Sequence, residues 1–206
     1  MIKAVLFDID GVLVDSLETA LHFVADILTN MGKKIPPRNE LETYLHFPLT
    51  VVLERAAGSK LTEELKLLPE ITSKIQYRSD LLSEFPHTKE MLEVLHQKYT
   101  LGLITSRRRD GLERYFNFAK NKHLFAIAVT VEDVTHHKPH PEPLLLAAKR
   151  LKLRPSECVY VGDSHTDIEA GKAAGMKTVI FGGKEHTDAD VSTKTLKNLP
   201  EIIAGL

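Results

Sequence analysis

The sequence predicts an α/β fold, in which a doubly wound parallel sheet carries a helical segment inserted after its first strand. Three observations lead to this prediction. Short apolar runs recur along the 206 residues, helical patterns separate them, and one long stretch after the first run has helical spacing throughout. Strands covered by helices on both faces appear as continuous apolar runs, because neither face meets water.

Five apolar runs, bounded by acids or glycine, are the predicted strands. They cover residues 2–7, 101–104, 125–131, 159–161 and 178–181. Apolar residues at helical spacing predict four helices among these strands, at residues 88–97, 109–116, 142–151 and 167–174. An alternation of this kind is typical of a parallel sheet with helical crossovers.

Residues 17–85 interrupt the alternation, because they have helical spacing and no strand-like run. A helix is predicted at residues 17–31 and stops at Gly32. Its apolar stripe consists of Leu17, Ala20, Leu21, Val24, Leu28 and Met31. Further helices are predicted at residues 50–57, before Gly58, and 63–82, with a break at Pro69. We therefore assign residues 1–16 and 86–206 to the core and residues 17–85 to a helical cap domain.

The composition indicates an ordinary soluble protein. Lys and Arg number 27 against 28 Asp and Glu, for a formal net charge of −1, so no general basic field would attract nucleic acid. No stretch approaches the roughly 18 apolar residues of a membrane span, and the N-terminus does not resemble a signal peptide. The single Cys158 is expected to be a buried apolar residue. We expect a cytoplasmic monomer or weak dimer without nucleic-acid or membrane partners.

Polar side chains follow the predicted strands, at the edge where an open parallel sheet binds ligands. The acids are Asp8, Asp10, Asp163 and Asp167, and the other candidates are Thr105, Ser106 and Lys138. Four ionised carboxylates at one edge repel one another unless a cation compensates them. Their oxygens suit magnesium, which usually keeps water and substrate phosphate in its shell as well.

The Asp-x-Asp spacing of Asp8 and Asp10 is a weak signal by itself. A second copy, Asp188-Ala189-Asp190, lies in a polar stretch to which we assign no chemistry. The first copy differs because it ends a buried strand and precedes Gly11, which permits a tight turn. A helix-capping turn is the ordinary structural alternative for this pair.

The other candidates also have ordinary alternatives. Thr105 and Ser106 precede a helix, where their hydroxyls and the local N–H groups could cradle phosphate, but Ser and Thr also favour N-cap positions. Lys138 lies among prolines in HHKPHPEP and could reach inward as a point charge. A solvated lysine is the more usual environment for this residue type.

Four segments resemble the sequential motifs of the haloacid dehalogenase-like hydrolases. They are FDIDGVLVDS, LITS, KPHPEP and VGDSHTDIEAGKAAG, and they span residues 7–175 in the family's order. The first and fourth segments are the most specific. The resemblance implies a Rossmann-like core with a helical cap inserted after the first motif, which is where the helical segment lies.

The resemblance also implies a role for each acid. Asp8 is the implied nucleophile, and Asp10 is the acid/base that protonates the leaving oxygen and later deprotonates water. A carboxylate that attacks phosphorus replaces one difficult displacement by two easier ones. A metal and a lysine would neutralise the charge of the transferring group.

The remaining implied roles concern metal and phosphate. The residues implied to hold Mg²⁺ or to support its site are Asp8, Asp10 through its backbone carbonyl, Asp163 and Asp167. The candidates for binding phosphoryl oxygens are Thr105, Ser106 and Lys138. Two further candidates near the substrate are Arg107, which begins a run of three arginines at a helix N-terminus that disfavours cations, and His165, between two of the acids. The histidines at positions 136, 137 and 140 could indicate a transition-metal site. The carboxylates fit magnesium better, so magnesium is the favoured metal.

The most similar branch of the family contains phosphoglycolate phosphatases and β-phosphoglucomutases. A phosphatase of small phosphorylated metabolites is favoured, because Ala20 stands where the mutases carry a histidine and His22 would face elsewhere. Val12 and His87 also depart from common family residues and leave the substrate open. The alternative is a phosphosugar mutase. A non-catalytic binding module and a dehalogenase are less favoured, because both acids of the first motif are present.

Overall fold

In the computed structural model, which describes residues 1–182 and 188–206, the chain forms two units. The first consists of Met1–Asp15 and Glu84–Leu206, and the second of Ser16–Ser83. The strands are β1 Ala4–Phe7, β2 Val14–Asp15, β3 Ser83–Glu84, β4 Thr100–Ile104, β5 Phe125–Val129, β6 Cys158–Gly162, β7 Lys177–Phe181 and β8 Val191–Thr193. The α-helices of the described residues are α1 Leu17–Asn30, α2 Arg38–Glu42, α3 Leu49–Ala57, α4 Leu68–Lys74, α5 Thr88–His96, α6 Arg109–Ala119, α7 Glu142–Leu151, α8 His165–Ala173 and α9 Leu199–Ala204.

A six-stranded parallel sheet forms the centre of the first unit, in the order β5-β4-β1-β6-β7-β8. Phe7 of β1 lies in register between Leu103 of β4 and Val161 of β6. The chain proceeds from β1 outward to β4 and β5, then returns to the other side of β1 for β6, β7 and β8. This reversal lies between β1 and β6, the position where open α/β sheets bind ligands. The predicted doubly wound sheet is confirmed.

Successive side chains of a strand point to opposite faces of the sheet. Both faces carry apolar side chains here, and helices cover both. On one face, Val5 and Phe7 belong to a core that includes residues of α5, α6 and α9. On the other face, Ala4 and Leu6 pack with residues of α7 and α8. Cys158 is fully buried on this second face, as expected, and burial raises the pKa of its thiol to about 11.

The five strands and four helices predicted for the first unit agree closely with those observed, but the unit also contains elements that were not predicted, among them the two-residue strand β2. The strand β8 and the helix α9 were not predicted. In β8, Val191 is half-buried, Ser192 is exposed and only Thr193 is buried, so the strand is too short and too polar to appear as an apolar run. A sequence pattern finds the central strands more readily than such an edge strand.

The second unit is helical and has its own apolar cluster. Leu21 and Val24 of α1 pack in this cluster with Val52 and Leu53 of α3. The structure corrects the predicted apolar stripe at Leu17, which is 39% exposed. The short helix α2 was not predicted, and the two-residue strand β3, which pairs with β2, falls partly within the segment that had no strand-like run.

The helix predicted over residues 63–82 is wrong. The observed α4 ends at Lys74, and short 3-10 turns at Glu64–Leu67 and Ser79–Leu81 lie on either side of it. Pro69 does not break a helix, because it lies in the first turn of α4, where its missing N–H has no intrahelical partner to lose. Across residues 1–182 and 188–206, no helix has both the length and the apolar character needed to cross a bilayer.

Candidate active site

Asp8 follows the central strand of the sheet, where the strand order reverses. Its backbone N–H extends the ladder beyond β1 by donating to the carbonyl of Val161, 2.9 Å away. The residue is buried, and its Oδ1 accepts a hydrogen bond from the N–H of Ile9 at 2.7 Å. The strand and the turn therefore hold this carboxylate at the ligand-binding edge of the sheet.

The ammonium of Lys138 joins Asp8 to Asp167. Its Nζ lies 2.8 Å from Asp8 Oδ2 and 2.7 Å from Asp167 Oδ1, and it donates to the hydroxyl of Tyr160 at 3.1 Å. Lys138 is only 5% exposed. A buried charge needs both a counter-charge and hydrogen bonds, and the two carboxylates with the tyrosine supply them. Lys138 is thus an interior lysine and not a solvated one.

The carboxylate of Asp167 is fully engaged. Its Oδ1 accepts from Lys138 and from the Tyr160 hydroxyl at 2.8 Å, and its Oδ2 accepts from the Ser164 hydroxyl at 2.6 Å and the Ser164 N–H at 3.1 Å. Ser164 is the N-cap of α8, and Asp167, three residues later, completes a capping box. The start of α8 therefore fixes the acid that holds Lys138.

Burial and ion pairing act in opposite directions on these three charges. Burial raises the pKa of Asp8 to about 8, while Lys138 opposes the rise and the neighbouring carboxylates add to it. Burial also disfavours the charge of Asp167, but the ammonium of Lys138 and the hydrogen bonds of two hydroxyls outweigh it and lower that pKa. Burial opposes the charge on Lys138, and the two acids outweigh it, so the pKa of Lys138 is raised well above its ordinary value. Of the two acids that pair with Lys138, Asp8 is therefore the one whose negative charge is less fully compensated.

A group of three carboxylates is suited to a cation. Asp8, Asp163 and Asp167 each offer an oxygen, and these oxygens lie within 4.8 Å of one another. An all-oxygen donor set fits Mg²⁺. Each oxygen of Asp167 accepts two hydrogen bonds, whereas each oxygen of Asp8 accepts one, so Asp8 is better suited than Asp167 to contact a metal directly.

The carboxylate of Asp10 lies outside this group and meets Arg107. Arg107 donates from Nε to Asp10 Oδ2 at 2.7 Å and from Nη2 to Asp10 Oδ1 at 2.5 Å. The side chain of Arg107 is 11% exposed, and that of Asp10 is 39% exposed. The predicted acid/base thus has both oxygens in a two-bond contact with one guanidinium.

Two glycines make room for the acids. Gly11 has a φ of 75°, and a Cβ on it would overlap the carboxylate of Asp163. A Cβ on Gly162, the last residue of β6, would overlap the side chain of Asp167. Glycine is therefore required at both positions, and at Gly11 the positive φ also requires it.

Thr105 and Ser106 are not helix caps. The helix α6 begins at Arg109, and its N-cap is Arg108. Thr105 is buried directly after β4, the neighbour of β1, and its hydroxyl accepts from the N–H of Arg107 at 3.1 Å. This placement leaves the assignment of Thr105 and Ser106 to phosphate binding as a prediction.

His165 is the first residue of α8 and is exposed, next to the acids in sequence. The histidine segment forms a different group, in which His136, His140 and Glu142 offer ligand atoms within 4.8 Å of one another. The carboxylate of Glu142 is already used there, since it accepts the N–H groups of Thr135 and His136 at 2.9 Å. Its hydrogen bonds explain the group without a metal.

The second Asp-x-Asp copy has a structural role. Oδ2 of Asp190 accepts from the N–H and the hydroxyl of Thr178, both at 2.9 Å. Asp190 also forms ion pairs with Lys172 and Lys177. These contacts tie the segment before β8 to β7.

Two residues of this site were missed in the sequence. Tyr160 was included among the apolar residues of a strand, although a tyrosine buried in a sheet normally needs a partner for its hydroxyl. Ser164 carried a second signal, because a serine three residues before an acid at a predicted helix start indicates a capping box. Both residues bond the carboxylate of Asp167, so the sequence contained the patterns that predict the residues supporting this acid.

Comparisons with known proteins show which family the chain belongs to. The family model described as haloacid dehalogenase-like hydrolase matches residues 5–181. The pyrophosphatase PpaX of Bacillus mycoides (strain KBAB4) is 31% identical over 98% of this chain and 95% of its own length. PpaX of Bacillus cereus (strain ATCC 10987 / NRS 248) is 35% identical over 86% of this chain and 82% of its own.

The similarity extends to solved structures. A crystal structure described as a haloacid dehalogenase-like hydrolase from Bacteroides fragilis has a TM-score of 0.86 at 28% identity, and the match covers 97% of this chain and 100% of that one. The chain therefore belongs to the haloacid dehalogenase-like hydrolase family.

Proposed function

We propose that the protein is a magnesium-dependent phosphatase that hydrolyses small phosphorylated metabolites through a phosphoaspartate on Asp8. The observation that carries this proposal is the position of Asp8 at the sheet reversal, with Lys138 Nζ 2.8 Å from its Oδ2. The carboxylates of Asp163 and Asp167 lie within 4.8 Å of it. The proposed nucleophile, the ammonium of Lys138 and acids suited to a metal thus lie together at one edge of the sheet, which supports the proposal.

Asp8 and Asp163 would hold Mg²⁺, together with the backbone carbonyl of Asp10, and Asp167 would keep Lys138 in place beside them. When bound, the metal would neutralise negative charge on the transferring phosphoryl group. Thr105 and Ser106, after the neighbouring strand, are proposed to bind phosphoryl oxygens. These residues supply positioning and charge compensation, which dominate catalysis of phosphoryl transfer.

The reaction has two displacements. In the first, a carboxylate oxygen of Asp8 attacks phosphorus, the bond to the leaving oxygen breaks, and Asp10 gives that oxygen a proton. In the second, Asp10 takes a proton from water, the water oxygen attacks phosphorus, and the bond to Asp8 breaks. Free phosphate and the original carboxylate result.

Substrate selection is proposed to depend on the helical cap at residues 17–85. In its first helix, Leu21 and Val24 are buried in the second unit's own core and are not available to a substrate. Ala20 carries no functional group. These residues give no support to recognition of a second phosphosugar, so water is the proposed acceptor. The pyrophosphatase relatives make pyrophosphate the first compound to test.

The remaining properties follow the same proposal. We place the protein in the cytoplasm, as a monomer or weak dimer with no membrane or nucleic-acid partner. The buried, single Cys158 and the net charge of −1 support this proposal.

The proposal is tested by following phosphorus. Pyrophosphate, a hexose 1-phosphate carrying labelled phosphorus and a panel of phosphorylated acids are incubated with the protein and Mg²⁺. Release of free phosphate, abolished by Asp8→Asn, is the expected result. Recovery of the label mainly as hexose 6-phosphate would mean a mutase, and no turnover of any compound would reject the proposed function.

A further inference from the structure

The contact between Arg107 and Asp10 joins residues that are far apart in sequence and uses the full fork of the guanidinium. Nε and Nη2 each bond one oxygen of Asp10, and Nη1 donates to the carbonyl of Gly111 at 3.3 Å. All three nitrogens of the guanidinium therefore have an acceptor. A planar fork of this kind recognises carboxylate and phosphate groups equally well.

The fold provides a seat for Arg107. Its N–H donates to the hydroxyl of Thr105, and its carbonyl accepts from the N–H of Val131 at 3.3 Å, so the backbone is fixed on both sides. Its aliphatic stem runs beside Gly111, where a Cβ would lie 3.4 Å from the Arg107 Cβ.

The next two arginines are directed elsewhere. Arg108 pairs with Glu132 at 2.7 Å and has a side chain that is 62% exposed. Arg109 pairs with Asp133 at 3.1 Å and is 68% exposed. The side chain of Arg107, at 11% exposure, is thus the least exposed of the run.

This arrangement has a consequence for the reaction proposed above, on which the inference rests. Asp10 must exchange a proton with the leaving oxygen, yet both of its oxygens are bonded to Arg107. Because Asp10 acts on the leaving oxygen, Arg107 lies on the leaving-group side of the site. The side chain of Asp10 is 39% exposed, so the pair opens to solvent on the side of the carboxylate, where another anion can reach the guanidinium.

We propose that Arg107 determines specificity by binding a leaving group that carries its own negative charge, and that this anion draws the guanidinium away from Asp10. The substrate class is a phosphate joined to a second anionic group, either a phosphate or a carboxylate. A phosphorylated alcohol without such a group leaves Arg107 on Asp10. Arrival of the correct leaving group and release of the acid/base are then the same event.

The test measures binding, so it does not depend on turnover. Calorimetry in saturating Mg²⁺ compares phosphonoacetate with ethylphosphonate, which has a methyl group in place of the carboxylate, and adds methylenediphosphonate as the phosphate-like arm. The proteins are the wild type, Arg107→Gln and the matched control Arg108→Gln. Arg107→Lys, which keeps the charge without the fork, is measured as well in case Arg107→Gln does not fold.

The wild type is expected to bind at least one of the two probes with a second acidic group, phosphonoacetate or methylenediphosphonate, more tightly than ethylphosphonate. Arg107→Gln should weaken that binding by about 10- to 100-fold, the factor for a lost hydrogen-bonded charge, and should change ethylphosphonate binding less than about threefold. Whichever probe shows the loss identifies the leaving group as carboxylate or phosphate. Arg108→Gln should leave all three affinities within about twofold of the wild type.

The inference is wrong if Arg107→Gln weakens all three probes equally, or if Arg108→Gln has the same effect as Arg107→Gln. A second measurement is the NMR resonance of the Arg107 Nε–H, which is identified by its absence in Arg107→Gln. The inference is also wrong if this resonance shifts no more when the probe with a second acidic group binds than when ethylphosphonate binds. Each of these results leaves the proposed phosphatase intact, because that function is tested separately by phosphate release.

Discussion

The hydroxyl of Tyr160 lies 3.1 Å from Nζ of Lys138, and both groups are buried. The same hydroxyl donates to Asp167 Oδ1 at 2.8 Å. Tyr160 thus bridges the lysine and the acid that holds it. Because its hydroxyl acts on the site through Lys138 and Asp167, it is a positioning residue.

We expect Tyr160→Phe to lower kcat/KM by about 5- to 100-fold, because the lost hydroxyl makes two hydrogen bonds of about 0.5–1.5 kcal/mol each. The ring would still fill its place in β6. The matched control is Tyr115→Phe, since Tyr115 is also buried and its hydroxyl accepts from Asn121 at 2.8 Å. Steady-state kinetics and melting temperatures compare the two variants. Equal activities in the two would contradict a positioning role for Tyr160.

Asp8→Asn is expected to abolish phosphate release, because an amide of nearly the same shape is a poor nucleophile. The melting temperature should stay equal or rise, since burial raises the pKa of Asp8 to about 8 and the charged form is unfavourable in the folded protein. Asp188→Asn, in the second Asp-x-Asp copy, is the control. Residual activity above about one thousandth of the parent, a loss of only about 4 kcal/mol, would point to another nucleophile.

Asp10→Asn is expected to let the phosphoenzyme accumulate. Without a base for the attacking water, the second displacement should slow by roughly 10²- to 10⁴-fold. The measurement is the amount of phosphorus label that stays on the protein after a rapid acid quench. Asp8→Asn should retain no label, and label on Asp8→Asn would show that phosphate is carried elsewhere.

Removal of magnesium is expected to stop turnover, because without the metal the negative phosphate would approach the carboxylates of Asp8 and Asp163 against charge repulsion. Activity should return when Mg²⁺ is added back. Calcium should inhibit, since its larger and looser shell changes how Asp8 meets phosphorus. Full activity in excess chelator is the result that would exclude a metal requirement.

Asp133 gives an acid-dependent contribution to stability far from the metal ligands. Burial disfavours its charge, but hydrogen bonds from Arg150 and from the N–H and hydroxyl of Thr130 outweigh it and lower the pKa from 3.8 to about 2. A pKa depressed in the folded state adds stability above about pH 4 that is lost as the pH falls toward 2. Asp133→Asn should therefore cost about 1 kcal/mol at neutral pH and nearly nothing at pH 2.

Denaturant unfolding at several pH values checks this expectation. The control is Asp110→Asn, which removes an exposed pair with Arg114 in α6. That change should matter by only a few tenths of a kcal/mol at any pH. A constant difference between Asp133→Asn and the wild type down to pH 2 would contradict the assigned pKa.

The sequence predicted the centre of the fold better than its periphery. The strands β1, β4 and β6 are buried on both faces and so appear as apolar runs, whereas β8 is a three-residue strand with one buried side chain. The helix predicted over residues 63–82 was wrong because apolar spacing alone does not reveal where a chain leaves the helix. At its N-terminal end, Pro69 marked a first turn and not an interruption.

Within the site, local patterns were informative and long-range pairs were not. The acids follow strands, so their common edge could be predicted from the order of apolar runs. The contact between Arg107 and Asp10 joins positions 97 residues apart, and its two-bond geometry depends on the loop after β4. Nothing in the sequence near Arg107 distinguishes it from Arg108, because only the folded loop buries one and exposes the other.

The glycines beside the acids also limit how the protein can be redesigned. Gly11 faces Asp163 and Gly162 faces Asp167, and there is no space for a further side chain between each glycine and its acid. A mutant library could replace Asp163 or Asp167 by residues with shorter side chains. It could not add a side chain at Gly11 or Gly162 while the acids opposite them are kept. Natural variants with a side chain at position 11 or 162 are therefore expected to carry a smaller residue at 163 or 167. Such sequences would have lost an acid of the proposed site while keeping the sheet.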